Sequence, residues 1–147
     1  MTKALRIGIA AILVTMLTGC NDESSIPDAP VYVERNTLSE AQALRTMGGY
    51  VEIIAGTKAS DRLGYGGILI YHTLSDNICA FDMSCPVEKS RTIRVHIDDT
   101  GIHTTCEGCG SSYDVSFGSG SPISGSATEG LKKYQVQTAG TTITVFR

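Results

Sequence analysis

The chain has 147 residues, of which 41% are hydrophobic, 6% are aromatic and 18% are charged, with no tryptophan. Its formal net charge is −3 and it has no basic cluster, which argues against a protein that binds nucleic acid by neutralising phosphates. The length allows one domain with a tail rather than two full domains. The 16 glycines and few aromatic residues favour short strands and tight turns over a helical bundle.

The start of the chain has the pattern of an export signal. Lys3 and Arg6 form a short basic region, and an apolar stretch follows over 7–17. Because about twenty apolar residues are needed to cross a bilayer, this stretch predicts a cleaved signal peptide over 1–19 rather than a membrane span. The next run, LTGC, resembles the lipobox of bacterial lipoproteins, which implies that Cys20 is lipidated and becomes the mature N-terminus. The alternative is an ordinary signal peptide with an incidental cysteine.

The predicted lipid anchor implies a location in the bacterial cell envelope, with the domain attached to a membrane and either periplasmic or surface-exposed. Asp22 and Glu23 follow the anchor and resemble the surface-export signals of some Bacteroidetes lipoproteins. The segment 20–30 contains two prolines and little to bury, so we expect a flexible tether between the lipid and the domain. Because the export side of the membrane is oxidising, the cysteines beyond the anchor can be disulfide partners, metal ligands or both.

Most of the remaining chain alternates short β-rich runs with turn residues. Strands are predicted over 31–33, 50–54, 67–72, 78–81, 91–97, 102–105, 131–137 and 141–146. One short helix is expected within 38–47, where helix formers recur at spacings of three and two glycines follow. The glycine-containing segment 56–67 and the Gly/Ser-rich segment 108–130 are predicted loops. About eight short strands with at most one short helix indicate an all-β, antiparallel domain over 31–147.

Four cysteines follow the predicted anchor. Cys106 and Cys109 form a C-x-x-C pair within the run CEGCG, whose glycines let the backbone amides turn toward the sulfur atoms. Cys85 is followed by Pro86 in a second predicted loop, so two hairpin tips could bring thiols to one metal ion or cluster. Cys79 lies on the strand that enters this loop. A C-x-x-C pair also marks thiol redox sites and disulfides, and the spacing leaves these alternatives open.

Two motifs resemble the cluster-binding loops of Rieske-type [2Fe–2S] domains: AFDMSCP over 80–86 and CEGCGSSYD over 106–114. Further similarities to the segments that follow the second loop in that family lie at Gly120, 122–127, Leu131 and 134–136. The resemblance covers about 48–147 and implies a small antiparallel β-sandwich or barrel with the cluster at the tips of two hairpins. It also implies a function in electron transfer, as a free carrier or as a domain of a larger oxidoreductase.

The ligand pattern of this chain departs from that of the family. Rieske loops read C-x-H and C-x-x-H, with two cysteines on one iron and two histidines on the other. Cys85 and Cys106 stand at the cysteine positions, whereas Val87 replaces the first histidine and Cys109 the second. The resemblance therefore implies a divergent site in which Cys85, Cys106 and Cys109 are the metal ligands.

Other residues complete the predicted site. Ser111 and Tyr113 match the residues whose hydroxyls hydrogen-bond to cluster sulfurs in the family. Cys79, six residues before Cys85, is either a fourth ligand or a small hydrophobic residue of the core. Glu88 could offer a carboxylate to the site or be a solvated loop residue.

Three functions are consistent with this pattern. The first is an electron carrier with a [2Fe–2S] cluster, whose reduction potential would be lowered by thiolates in place of imidazoles. The second is a zinc site that only stabilises the fold. The third is a cluster-free structural or binding module in which Cys85 and Cys106, close together in Rieske domains, form a disulfide.

Catalysis by the domain alone is not expected from the sequence. Neither a Ser/His/Asp set nor paired acid–base carboxylates are evident, and the glycines near 64–67 lack the strand–helix context of a phosphate-binding loop. We therefore expect a carrier or binding module that attaches to the membrane through its N-terminal lipid and acts with a separate redox partner protein.

Overall fold

Eleven β-strands account for most of the regular structure in residues 24–147, which are the residues described by this computed structural model. The strands are β1 (Val31–Asn36), β2 (Tyr50–Ile53), β3 (Arg62–Leu63), β4 (Ile68–His72), β5 (Ile78–Asp82), β6 (Val95–Ile97), β7 (His103–Cys106), β8 (Ser112–Asp114), β9 (Ser121–Ser124), β10 (Lys133–Ala139) and β11 (Thr142–Phe146). The helical element found in these residues is a 3-10 helix, Gln42–Arg45. The predicted all-β class with at most one short helix is confirmed. The predicted signal peptide over 1–19 and Cys20 lie outside the described residues.

The strands form two antiparallel sheets. The larger sheet has the order β2-β4-β5-β10-β11-β1-β3, and the smaller sheet has the order β6-β7-β8-β9. The first and last strands of the described chain are neighbours, because β1 pairs with β11 over five residue pairs from Tyr32↔Phe146 to Asn36↔Thr142. The two sheets are joined where β5 ends, through a bridge between Ser84 and Arg94 that leads into β6. Within residues 24–147, no helix is long and apolar enough to span a bilayer.

Strand β4 faces two clusters of buried side chains. Ile68 and Ile70 belong to the first core cluster, with Val33, Leu44, Ala80, Ile143, Val145 and others. Leu69 and Tyr71 belong to the second core cluster, with Phe81, Met83, Cys85, Val95, Cys106, Tyr113, Val115 and Leu131. Because successive side chains of a strand point to opposite faces, a strand covered on both faces is a continuous apolar run, as β4 is in the sequence. Two of the predicted site cysteines are thus part of the second core cluster.

Some elements differ from the sequence-based predictions. Strands β3, β8 and β9 lie in segments predicted as loops, and β6 covers only the last three residues of the predicted strand 91–97. The sequences of β8 and β9, SYD and SPIS, have little apolar content. These strands form because they pair with β7 and with each other, so tertiary context outweighs their weak intrinsic preference. The predicted helix is reduced to four residues, and its N-cap Ala41 makes no side-chain capping hydrogen bond.

The segment Ser24–Pro30 also differs from the prediction, because part of the expected tether lies against the domain. Ile26 is only 1% exposed. The ammonium of Lys132, itself buried, donates to the carbonyl oxygens of Ile26 (2.9 Å) and Pro27 (3.2 Å) and pairs with Asp28 (2.7 Å). A buried lysine requires such acceptors, so these contacts hold the segment in place.

A buried ion pair fixes the chain between β2 and β3. Arg35 of β1 is 4% exposed and donates to both carboxylate oxygens of Asp61, at 3.0 and 2.8 Å. The same carboxylate accepts hydrogen bonds from the backbone N–H groups of Thr57 (2.8 Å) and Lys58 (3.1 Å). The Arg35 guanidinium, opposed by burial, holds the pKa of Asp61 well below its ordinary value. One carboxylate therefore organises the turn that precedes β3.

Candidate metal centre

Two loops at one end of the smaller sheet carry the predicted site cysteines. The first loop joins β5 to β6 and contains Cys85; its base is closed by a hydrogen bond from Val95 N to Met83 O (2.8 Å). The second loop begins at Cys106, the last residue of β7, and leads into β8. It is closed by a hydrogen bond from Cys106 N to Ser111 O (2.9 Å). Both loops start directly from paired strands, which fixes the positions of their thiols.

The structure brings three of the predicted ligands together. The sulfur atoms of Cys85, Cys106 and Cys109 all lie within 4.8 Å of one another, and those of Cys85 and Cys109 are 3.6 Å apart. Two thiolates bound to one tetrahedral metal with bonds of about 2.3 Å would stand about 3.8 Å apart, so the spacing suits metal ligands. Cys85 and Cys106 are buried, whereas Cys109 is half-buried. The group therefore faces the core on one side and the surface on the side of Cys109.

Hydroxyl and amide groups surround the three sulfurs. The Tyr113 hydroxyl lies 3.4 Å from Cys85 Sγ, and the Ser111 hydroxyl oxygen lies 3.2 Å from Cys109 Sγ. The backbone N–H of Gly108 donates to Cys106 Sγ at 3.4 Å. Ser111 and Tyr113 are fully buried. Each sulfur of the group thus has a polar neighbour, and two of these neighbours are the side chains that the resemblance indicated.

Burial and hydrogen bonding shift the pKa values of the thiols in opposite directions. Burial raises the pKa of Cys106 well above its ordinary value. Burial also acts on Cys109, but hydrogen bonds from Ser111 and the neighbouring thiols outweigh it and lower the pKa of that thiol. Buried anionic sulfur without a positive partner is unstable, so thiolate forms of these side chains would be favoured by a bound cation.

A third loop, after β9, covers the second loop. The backbone N–H of Ser126 donates to the Ser111 hydroxyl oxygen at 3.1 Å, and the two hydroxyl oxygens are 3.4 Å apart. Gly125 has a φ of +86°, and a Cβ added there would lie 2.6 Å from Ser111 Cα. Ser126 was not among the predicted site residues, although it lies in the 122–127 segment that carries part of the family resemblance. The third loop positions Ser111, which in turn contacts Cys109.

Replacing Gly125 with alanine is expected to destabilise the domain by about 2 kcal/mol, because the methyl group would overlap Ser111 in addition to the backbone penalty of a positive φ. Urea unfolding measures this change. Gly140→Ala is the matched control, since Gly140 has a φ of +58° but no atom within 4 Å of an added Cβ. Equal destabilisation by the two substitutions would show that contact with Ser111 does not contribute to the loss of stability in Gly125→Ala.

Cys79 lies outside the group of three thiols. It is half-buried near the start of β5, and its Sγ donates to the Tyr71 carbonyl oxygen at 3.6 Å. Burial raises the pKa of this thiol to about 11. A Cβ added to Gly118, in the turn between β8 and β9, would lie 3.4 Å from its Sγ. These contacts are those of a core side chain at the other end of β5 from Cys85.

Glu88 and the three histidines also lie outside the group of ligand-type side chains found in residues 24–147. Glu88 lies beside the second loop, because a Cβ added to Gly108 would be 3.2 Å from its carboxylate. The three histidines have carboxylate neighbours: His72 lies 2.8 Å from Asp76, His96 lies 2.7 Å from Glu52, and His103 lies 3.9 Å from Asp98. Val87 is 38% exposed, at the position where the family has a histidine.

Sequence reasoning missed Asp82, which supports the first loop. This carboxylate is fully buried at the end of β5. It accepts hydrogen bonds from the backbone N–H groups of Tyr65 (2.8 Å), Gly66 (3.0 Å) and Ser84 (2.8 Å) and from the Tyr134 hydroxyl (2.5 Å). The sequence offered one signal for Asp82: it is a lone acidic residue that follows an apolar strand and precedes a cysteine loop. Asp82 ties the glycine-rich loop before β4 to the residue that precedes Cys85.

Comparisons with known proteins find similarity at the level of structure. No protein-family model matches the chain, and no curated protein matches it in sequence. The cyanobacterial plasma membrane Rieske protein PetC3 from Synechocystis PCC 6803 aligns with 19% identity and a TM-score of 0.54, over 78% of this chain and 99% of that chain. A chain from the complex of reduced oxygenase and oxidized ferredoxin in carbazole 1,9a-dioxygenase aligns with 16% identity and a TM-score of 0.48, over 79% and 93% of the two chains. The predicted fold is confirmed: the domain described here has the Rieske-like β fold, with a group of three cysteines on its two loops.

Proposed function

We propose that the protein is a lipid-anchored electron carrier that binds a [2Fe–2S] cluster through Cys85, Cys106 and Cys109. The observation that carries this proposal is the meeting of three thiol sulfurs within 4.8 Å on two loops of a Rieske-like fold. Thiolates are the usual protein ligands of iron–sulfur clusters, so the three thiols fit three of the four ligand positions of such a group. A bound cluster would supply reversible one-electron transfer.

The chain's own residues would shield and tune the cluster. Cys85 and Cys106 are buried in the second core cluster, whereas Cys109 faces the surface and marks the side nearest to a partner protein. Three thiolates are more negative than two thiolates with two neutral imidazoles, so we expect a reduction potential below that of a histidine-ligated centre. Val87 offers no donor atom, and we propose that a small ligand from solution completes the coordination.

The cellular context of this function is also a proposal. The lipobox-like run supports cleavage after residue 19 and lipidation of Cys20, which would hold the protein in the bacterial cell envelope, periplasmic or surface-exposed. The domain would act as a carrier for a separate redox partner protein rather than as a catalyst on its own.

The test is to purify the full chain without oxygen and to measure iron, acid-labile sulfide, zinc and free thiols together with the visible absorption spectrum. Iron and sulfide in equal amounts, at two of each per chain, would support the carrier. The absence of both iron and zinc, with fewer free thiols than the four cysteines beyond Cys20, would contradict every metal-binding role and favour the disulfide-stabilised module.

A structural zinc site is the second candidate. The 3.6 Å separation of the Cys85 and Cys109 sulfurs is close to the value for two ligands of one tetrahedral ion, whereas ligands on different irons of a cluster stand farther apart. One zinc per chain without sulfide would support this candidate and contradict the electron carrier.

Replacing Tyr113 with phenylalanine is expected to lower the reduction potential of the bound cluster. The hydroxyl lies 3.4 Å from Cys85 Sγ, and a hydrogen bond to a ligand sulfur favours the more negative, reduced state. Redox titration followed by absorbance measures the change. Tyr71→Phe is the control, because the Tyr71 hydroxyl donates to the Gly101 carbonyl oxygen and not to a sulfur. An unchanged potential in Tyr113→Phe would contradict this role of Tyr113.

A further inference from the structure

We propose that the segment Ser24–Asp28 orients the domain so that the first metal loop, 83–94, faces an anionic lipid surface. This inference rests on the proposed lipidation of Cys20. It goes beyond anchoring, because a lipid on a free tether would leave every face of the domain equally able to meet the membrane.

The segment Ser24–Asp28 is attached to the domain at several points. Ile26 is 1% exposed, and Lys132 Nζ donates to the carbonyl oxygens of Ile26 and Pro27 at 2.9 and 3.2 Å. Lys132 also pairs with Asp28 at 2.7 Å, and Arg147 contacts the same carboxylate. The segment therefore has a defined path over the surface of the domain.

The path of the segment leads to the first metal loop. The backbone N–H of Ser25 donates to Glu129 at 2.7 Å, and the Ser25 hydroxyl donates to the Pro86 carbonyl oxygen at 3.5 Å. Pro86 directly follows Cys85. Glu129, Pro86 and Val87 line the same shallow depression. The chain that comes from the lipid thus meets the domain beside the metal loop.

The reach of the chain from Cys20 is short. Three residues lie between Cys20 and Ser24, and the four residue steps that join them span at most about 14 Å when extended. The opposite end of the domain is formed by the turns after β4 and β8, which meet through a hydrogen bond from Leu74 N to Ser116 O (2.8 Å). Strand β5 runs extended from Ile78, next to these turns, to Asp82, three residues before Cys85, and its four residue steps span about 13 Å. Because Ser25 lies beside Pro86, this short connection keeps the lipid nearer to the metal-loop end of the domain than to the opposite end.

The charge of the first metal loop differs in sign from that of the whole chain. The first metal loop carries three basic residues and one acidic residue, whereas the whole chain has a net charge of −3. Lys89 and Arg91 are exposed on this loop, next to the exposed Val87. Basic side chains close to a bilayer are attracted to anionic headgroups, and this attraction falls off within a Debye length. The charge of the loop thus favours the same orientation as the path of the segment.

Single-tryptophan variants test this orientation, because the chain has no tryptophan of its own. Val87→Trp places the probe on the first metal loop, and Phe117→Trp places it on the 67% exposed side chain at the opposite end. The full lipidated proteins are reconstituted into vesicles of phosphatidylcholine and phosphatidylglycerol, with or without a nitroxide on the lipid headgroup. We expect the nitroxide to quench most of the fluorescence of Val87→Trp and little of that of Phe117→Trp. For each variant, the ratio of the fluorescence in vesicles with nitroxide to that in vesicles without nitroxide cancels quenching by a bound metal centre.

The controls separate the orientation from the anchor. Vesicle flotation reports lipidation: failure of both variants to float would overturn the anchor and the orientation together. Flotation with equal quenching of the two probes would overturn the orientation alone. Adding Lys132→Met to Val87→Trp should release the segment and reduce the quenching. Glu129→Gln, which weakens the contact of Glu129 with Ser25, gives a second comparison if circular dichroism shows that the Lys132 variant is unfolded. If the Lys132 and Glu129 substitutions both leave the quenching of the Val87→Trp probe at its full value, the segment has no role in orienting the domain.

Discussion

Cys106→Ser is expected to remove nearly all bound metal and sulfide from the purified protein. Cys106 is 2% exposed and belongs to the three-thiol group, so serine would leave two thiols and a hard oxygen donor in a buried position. In iron–sulfur clusters and cysteine-rich zinc sites the metal is held by soft thiolates, and a neutral serine hydroxyl is a much poorer ligand. Metal and sulfide analysis after purification without oxygen, together with the visible spectrum, measures the loss.

Cys79→Ser is the matched control for this result. Cys79 contacts the Tyr71 carbonyl oxygen rather than the group of sulfurs, so its replacement should leave metal content unchanged while lowering stability slightly. Equal loss of metal from both variants would assign the fourth ligand to Cys79. Full metal content in Cys106→Ser would contradict the proposed ligand set.

Asp61→Asn is expected to destabilise the fold by about 3 kcal/mol at neutral pH, because it leaves the Arg35 guanidinium buried without its partner charge. The Asp61 carboxylate is inaccessible to solvent and receives two hydrogen bonds from Arg35. Urea unfolding measures the change. Glu40→Gln is the control, since the Lys58–Glu40 pair is exposed and its loss should have little effect on stability.

The same substitution should change how stability depends on pH. The folded pKa of Asp61 lies below its unfolded value of about 3.9, so the ionised carboxylate stabilises the fold above about pH 4. This contribution is lost as the pH falls from the unfolded pKa toward the folded pKa. Stability of the native protein should therefore fall more steeply below about pH 4 than that of Asp61→Asn. Parallel curves for the two proteins would show that Asp61 is not the group responsible.

The strands that the sequence predicted correctly are those with strong apolar patterns. The runs that became β4, β5, β10 and β11 contain enough β-branched and aromatic residues to be recognised without their neighbours. Strands β8 (SYD) and β9 (SPIS) contain three serines and little apolar content, so only their pairing with β7 and with each other makes them strands.

Much of the candidate site could be predicted because its chemistry is local in the chain. The C-x-x-C spacing places Cys106 and Cys109 on one tight turn, and the glycines on both sides of Cys109 permit that turn. The position of Cys85 near them follows from the family resemblance and is found in the structure. Asp82 and Ser126 were missed because a buried aspartate or a loop serine has no distinctive pattern until the groups that donate to it are known.

The all-β class, the motifs of the two loops and the candidate thiols could be predicted from the sequence, because apolar alternation and close cysteine spacing act over a few residues. The folded structure was needed to show which thiols meet, since Cys79 lies near the start of β5 and Cys85 lies beyond its end. It also decided that Ile26 packs against the domain through Lys132, a contact between residues 106 positions apart. Such contacts depend on where the sheets bring distant segments together, and no local pattern specifies that.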